Sequence, residues 1–356
     1  MAGDSEVGPP PLPPPPLAPQ APAPPSGPNP AHQKLALYAG GALVVLIVLV
    51  IMAVSPRKPA IELVPRGQTL IQVVDVRRFL DSPVYQTLAN ASHHTLEPLF
   101  EAERRFEISL QRDVATVVDT EDSTILIGRF RPERLRDCFE EGIETREKEI
   151  NRGRASPVKL DLREEQVDGY RYAYCKQEGV DHAFAAVGSS IVCFGERWGV
   201  RRFLKTRAGQ RGTALDDDHF AAAYSPELAR RAFLYRLEKP GGLLVASKLK
   251  EVLGDAGEGI QAAFFALAVT RKDVELAVRF VVRDARAAEK LEVQLSKAST
   301  QVALRRILGS DAAPRVTRAN AVVTLESAIP LDSLDELVEK DKRGQGSSLI
   351  LTLIAS

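Results

Sequence analysis

Residues 261–282 read QAAFFALAVTRKDVELAVRFVV. Two apolar β runs are joined here by Arg271-Lys272-Asp273, a polar turn composition. The second run alternates: Val274, Leu276, Val278, Phe280 and Val282 fall on one face, Glu275, Ala277 and Arg279 on the other. That pattern belongs to a sheet with one face packed and the other nearer water, the ordinary state of an antiparallel sheet. Asp284 comes next as a helix cap, and helical patterning runs from Ala285 to about Ile307. A hairpin feeding a helix is therefore the unit from which the fold is read.

Working outward, the unit recurs. Val114–Val118 and Thr124–Phe130 are two β runs around Asp119-Thr120-Glu121-Asp122, and Pro132 opens a helix with Leu135, Cys138 and Phe139 on one face. Glu140 to Arg154 reads as its charged, solvated continuation. Leu70–Val74 is a strand ending at Asp75, before helical patterning to about Arg105. Three β runs, at 170–176, 182–187 and 190–194, form a meander with Gly188-Ser189 as its tight turn. A short basic helix spans 197–206, and 217–229 is helical again. Ala232–Leu237 is a strand, 243–253 a helix, Asn320–Ser327 a strand, and Pro330 opens a helix with Leu334, Leu337 and Val338 inward. Residues 348–354 are a last apolar run, an edge strand or a docked tail.

The expected class is α+β: antiparallel sheets with helices on one face, in two similar halves, 67–210 and 211–345, and then a C-terminal apolar tail, 346–356. The phrases ILIGRFRPERLRDCF and AVVTLESAIPLDSLDELV both run a strand into a proline-started helix and suggest a duplication, although few letters are shared.

The phrases VVDVRRFLDSPVYQTL, ILIGRFRPERLRDCF, AFAAVGSSIVCFG with VRRFLKT, and VELAVRFVVRDARAAEKL resemble a group of uncharacterised, membrane-anchored extracytoplasmic proteins of myxobacterial type that carry a domain of unknown function. The resemblance covers about residues 60–340 and consists of strand-to-helix junctions. It implies anchoring, fold and a domain outside the cytoplasm, and no activity.

The anchor is visible in the letters. Leu35 to Val54 contains no charged residue, and Val, Leu and Ile surround the helix from Leu43 to Ile51. About 20 helical residues cross a hydrocarbon core of about 30 Å. A cleaved signal has a basic start and a shorter apolar core, so residues 35–55 read as one uncleaved transmembrane helix in contact with the lipid bilayer. Residues 1–34 form a Pro-rich tail, with PPPLPPPPLAPQAPAPP at 9–25 reading as a disordered, extended spacer. Residues 56–66 are a linker. Arg57, Lys58 and Arg66 after the span, against Lys34 before it, favour a cytoplasmic domain. N-terminal anchors more commonly export the chain on their C-terminal side. The expected location is a bacterial inner membrane, crossed once, with the large C-terminal domain periplasmic.

Lys plus Arg and Asp plus Glu are both 47, so the balanced charge argues against general nucleic-acid binding. Cys138, Cys175 and Cys193 have no C-x-x-C spacing and read as buried free thiols, with a bridge between Cys175 and Cys193 left open. Asp216-Asp217-Asp218-His219 has metal-ligand residue types, but adjacent side chains diverge and aspartate at a helix start caps amides. His93-His94 do not share a helix face. Asn90-Ala91-Ser92 has the glycosylation spacing but is short and common. Gly257-Glu258-Gly259-Ile260-Gln261-Ala262 matches a dinucleotide pattern but precedes a strand instead of opening a helix. Arg197, Arg201, Arg202, Lys205, Arg207 and Arg211 beside Trp198 suit an anionic-lipid contact or, more simply, a solvated helix end with Trp198, Phe203 and Leu204 inward.

No catalytic, cofactor-binding or metal residue is assigned. The expected function is a non-catalytic binding or scaffolding module of the cell envelope, with a protein partner. A metal-dependent hydrolase using Asp216, Asp218 and His219, or a cytoplasm-facing adaptor, are the alternatives.

Overall fold

A computed structural model of the chain describes residues 59–91, 96, 100, 103–104, 106–153, 156–177, 180–240, 249, 252–310, 312–343 and 348–355. The expected tail, the apolar stretch 35–55, the start of the linker, His93-His94 and most of the helix expected at 243–253 lie outside them. Among the described residues no helix is long and apolar enough to cross a membrane.

The protein is α+β, with one continuous antiparallel sheet of twelve strands. The first seven are β1 (Leu70–Asp75), β2 (Val114–Thr120), β3 (Ser123–Gly128), β4 (Leu162–Val167), β5 (Tyr170–Gln177), β6 (Val180–Val187) and β7 (Ile191–Glu196). The last five are β8 (Leu234–Glu238), β9 (Ile260–Val269), β10 (Asp273–Val282), β11 (Arg315–Ala319) and β12 (Val322–Pro330). Their order across the sheet is β11-β12-β10-β9-β8-β1-β2-β3-β7-β6-β5-β4. Two-residue turns set several of the pairings. Asp168 and Gly169 both have positive φ (51° and 87°), as the turn that matches strand twist requires.

The helices are α1 (Val76–Leu80), α2 (Pro83–Asn90), α3 (Leu110–Asp113), α4 (Pro132–Asn151), α5 (Arg197–Arg207), α6 (Asp218–Ala223), α7 (Pro226–Arg231), α8 (Ala285–Ser296), α9 (Ala298–Leu308), α10 (Leu334–Lys342) and α11 (Leu349–Ala355). Most starts have a local cause. Asp75, Ser82, Ser109, Ser225 and Asp284 each accept an amide hydrogen bond as N-cap, and proline occupies the first turn of α2, α4 and α7.

The alternating face of β10 is buried as its pattern requires. Val274, Leu276, Val278, Phe280 and Val282 pack with Leu291 and Leu295 of α8, Leu304 of α9, Val338 of α10 and Leu351 of α11. Helices nevertheless cover both faces of the sheet, which corrects the one-face expectation. β9 shows why: Ala263, Phe265 and Leu267 face the α8 side, while Ala262, Phe264 and Ala266 face the other. On that second side Val200, Phe203 and Leu204 of α5 and Phe220 of α6 pack over Val73, Ile125 and Leu237. A strand apolar at nearly every position demands cover twice.

β1 and β8 join the two halves at the middle of the sheet. Asp75 N–H donates to the Phe233 carbonyl and Lys239 N–H to the Thr69 carbonyl, each at 2.8 Å, one at either end of the ladder. Outward from this seam the order is β1-β2-β3-β7-β6 on one side and β8-β9-β10-β12-β11 on the other, with β5 and β4 extending the first. The turns correspond too. Glu196 N–H donates to the Asp122 carbonyl and Leu331 N–H to the Lys272 carbonyl, both at 2.9 Å. The two strand-to-proline phrases hold unlike places: one runs from β3 into α4, the other from β12 into α10.

Further features differ from the sequence reading, among them a break at Tyr224-Ser225 in the helix expected over 217–229. β4 and β11, the two edge strands, are absent from it. The long helix expected from Ala285 breaks at Lys297, which is extended (φ −64°, ψ 140°). The C-terminal run is a docked helix whose Leu349, Ile350 and Leu353 are fully buried, and it forms no edge strand.

Candidate functional site: a cleft beneath a suspended helix

α4 is 20 residues long, yet only Leu135 and Cys138 are buried. It is held at its two ends. Near its start, Leu135 packs with Val114, Leu126, Phe130 and Val192, and Arg134 pairs with Glu107. Near its end, the Asn151 side chain donates to the Val158 carbonyl at 2.7 Å and accepts from its N–H at 2.6 Å. The Glu147 carboxylate accepts from Leu160 N–H at 2.7 Å. Between these ends Phe139 rests on Phe184 of β6, and the stretch beyond it buries no side chain.

Beneath the helix is a cleft of about 1080 Å³. Its floor is Leu126 of β3, Phe184 of β6, and Val192 and Phe194 of β7. Its roof includes Phe139, Gly142 and Ile143, and Leu160 and Cys175 also line it. The aromatic rings are ordered: Phe139 stacks on Phe184, and Phe106 lies against Phe194, both pairs at 5.7 Å. The charged lining residues, Arg104, Glu141, Arg146, Glu149 and His182, lie toward solvent and so form a rim. The volume is just above the ~300–1,000 Å³ usual for small-molecule sites. Burial pushes the Cys138 and Cys175 thiols up, so neither is an activated thiolate. The cleft can bind apolar matter; Cys175 stands opposite His182 on β5 and β6 within the lining, but no hydrogen bond joins them.

A second feature lies on the same sheet face. Arg236 and Glu238 of β8 are fully buried and pair with each other. Across the strands Arg236 stands opposite Gln72, Gln72 opposite Asp119, Asp119 opposite Thr124, and Thr124 opposite Phe194 of the cleft floor. Arg236 Nη1 donates to Gln72 Oε1 at 3.3 Å, and Thr124 Oγ1 to Asp119 Oδ1 at 2.5 Å. Burial pushes the Glu238 carboxyl up to about 7, against the pull of Arg236. Burial also raises Asp119, against its hydrogen bond from Thr124 and the charge of Arg236. This polar row crosses the seam between the halves and ties β8 to β1.

The residues weighed in the sequence mostly have structural employment. Asp216 forms a capping box with Thr213, and Asp217 caps α6 and pairs with Lys239. His219 is exposed. Among the described residues no group of three or more His, Cys, Asp or Glu side chains is placed to hold a metal ion. Gly254–Gly259 is a 3-10 turn leading into β9.

In the basic segment, Arg197 lies over the Tyr174 ring at 3.9 Å and pairs with Glu165 at 2.6 Å. Arg201 also reaches Glu165, and Arg202 pairs with the buried Asp122 at 3.3 Å while donating to the Arg66 carbonyl. These contacts fasten α5 to the sheet. Gly195 and Gly199 leave room for Asp122: a Cβ on Gly195 would meet its carbonyl oxygen at 2.4 Å. Phe203 and Leu204 are buried as expected, but Trp198 is 48% exposed. All three cysteines are free. Cys175 and Cys193 are separated by β6 and face opposite sides, Cys175 the cleft and Cys193 the core under α5. The open possibility of a bridge between them is thereby removed, and Cys175 instead shares the cleft with Cys138.

Sequence reasoning misses the cleft itself. Leu135, Cys138 and Phe139 look like core positions, and the floor combines β3, just before the helix, with the β6–β7 hairpin well after it. One signal is present: Gly142, a glycine inside a helix, where it is unfavourable by about 1 kcal/mol relative to alanine.

No family model matches the chain, and no curated protein matches it. Among solved structures it is similar to TP0453 in crystal form I, with 12% identity, a TM-score of 0.41, and coverage of 81% of this chain and 98% of that one. Crystal form III of TP0453 gives 12% identity, a TM-score of 0.42, and coverage of 79% and 97%.

Proposed function

We propose that this chain is a single-pass membrane protein of the cell envelope whose α+β domain is a non-catalytic binding module, with the cleft beneath α4 as its binding site. The observation that carries the reading is an apolar cleft of about 1080 Å³ under a helix pinned at both ends. Preformed concave sites of this kind are where small ligands bind. The uncharged stretch from Leu35 to Val54 supplies the anchor, and the Pro-rich tail a spacer. Export of the domain is part of the proposal, in keeping with the resemblance to membrane-anchored extracytoplasmic proteins. Arg57 and Lys58 argue for the opposite orientation, which reporter fusions after Lys58 and at the C-terminus decide. The mirrored strand order about the β1–β8 seam supports an internal duplication of the scaffold. The metal-hydrolase alternative loses support because Asp216 and Asp217 are engaged as caps.

The test is saturable binding of N-phenyl-1-naphthylamine, a dye that brightens in apolar surroundings, to the full chain in lipid nanodiscs. Binding above the nanodisc background, abolished by Gly142→Phe with unchanged circular dichroism, is expected. Equal binding by both forms, or none above background, overturns the reading.

A further inference from the structure

We infer that the cleft beneath α4 takes an acyl chain of a bilayer phospholipid, with the lipid's polar end at the charged rim. The inference rests on the binding-module reading and adds the ligand's chemical class.

Protein interiors pack as densely as organic crystals, and apolar walls facing a gap lose their contacts outright. Here the gap runs beside the stacked Phe139 and Phe184 and is lined by Gly142 and Ile143 of the roof and Phe194 of the floor. Beyond the Phe139–Phe184 contact the helix is held by its attachment at Asn151 and Glu147. An occupant restores the missing contacts.

Shape and polarity narrow what it is. The roof residues run from Leu135 to Glu149, about 21 Å of helix at ~1.5 Å per residue. A leaflet of a bilayer with a core of about 30 Å holds chains of about 15 Å, so one chain fits lengthwise. The interior lining is aromatic, aliphatic or thiol. The charged lining groups lie toward solvent, with Arg104, Arg146 and His182 offering donors at the rim. A compact polar metabolite needs polar groups converging inside; an amphiphile needs them only at the edge. The source is set by the proposed topology. Four residues, Ser55 to Lys58, separate the apolar stretch from Pro59, so the proposed anchor holds the domain beside a bilayer as its apolar store, although the chain enters on the sheet face opposite the cleft, where Ile61 and Val64 pack.

The experiment reconstitutes the full chain in phosphatidylethanolamine and phosphatidylglycerol liposomes. One sample carries phosphatidylglycerol with a diazirine at the end of one acyl chain; another carries a small free apolar diazirine. After photolysis, adducts are mapped by peptide mass spectrometry. The inference expects lipid adducts on residues 135–149 and on β6 and β7, lost in Gly142→Phe and, should that variant misfold, in Ile143→Trp. Lipid adducts confined to residues 35–55, with the free probe still labelling the cleft, overturn the lipid assignment and leave the binding-module reading standing. A cleft labelled by neither probe overturns both, including the case in which the chain's own proline-rich tail fills it.

Discussion

α4 and the α8–α9 pair hold the same place in the two halves of the sheet, yet they meet it differently. Each comes after the inner hairpin of its half and precedes the outer strands. In the second half the connection is broken at Lys297, and both segments press inward. Ala288, Leu291, Leu295, Leu304 and Leu308 are all at most 1% exposed, and α10 and α11 complete the cover. In the first half one unbroken helix carries Glu-Glu-Gly at 140–142 and charged residues beyond, and past the contact of Phe139 with Phe184 it buries no side chain. The same topology therefore supports a filled core and an open cleft. The cleft is written into the residues of α4, not imposed by the fold.

Paired truncations give the largest contrast. Leu291→Ala, in the filled half, should cost about 3 kcal/mol of unfolding free energy, because lost transfer energy and an unrelaxed cavity add. Ile143→Ala, at the cleft roof, should cost less than about 1 kcal/mol, since its neighbours already face a gap. Urea unfolding of both variants checks this. Equal losses would mean that α4 is packed like α8 and that the contrast between the halves is false.

Between the two halves lies the seam, and its titration gives a smaller effect. The Glu238 carboxyl is raised from an ordinary 4.5 to about 7, so the folded protein holds this proton more tightly than the unfolded chain does. Stability from this group is fully present below the unfolded value and is lost as pH rises through the folded one. The urea midpoint of the wild type should fall between about pH 5 and pH 8 relative to Glu238→Gln, which has no such proton to lose. Parallel pH profiles for the two proteins would place Glu238 in an environment unlike the buried one described.

Where side chains face decides how much of the molecule the sequence reveals. The β9–β10 hairpin, the capped start of α8 and the Pro132 start of α4 are legible because period and capping are local. β4 (LREEQV) and β11 (RVTRA) are not, because edge strands here carry Arg and Glu in place of apolar alternation. Charged edges of this kind prevent sheet-to-sheet pairing. The second packed face is hidden because β10 alternates while its neighbour β9 does not. The break at Lys297 has neither proline nor glycine to announce it. The cleft is the least legible feature: an apolar helix face has the same letters whether it touches the sheet or stands away from it.

Three buried thiols make the most direct measurement of that difference. Cys138 and Cys175 line the cleft, whereas Cys193 is sealed in the core beneath α5, and burial raises all three. Alkylation of the natively folded full chain by the neutral, apolar N-phenylmaleimide, tracked residue by residue by mass spectrometry, should modify Cys138 and Cys175 well before Cys193. Three cysteines protected alike, or Cys193 reacting first, would contradict the existence of an open apolar cleft beneath α4.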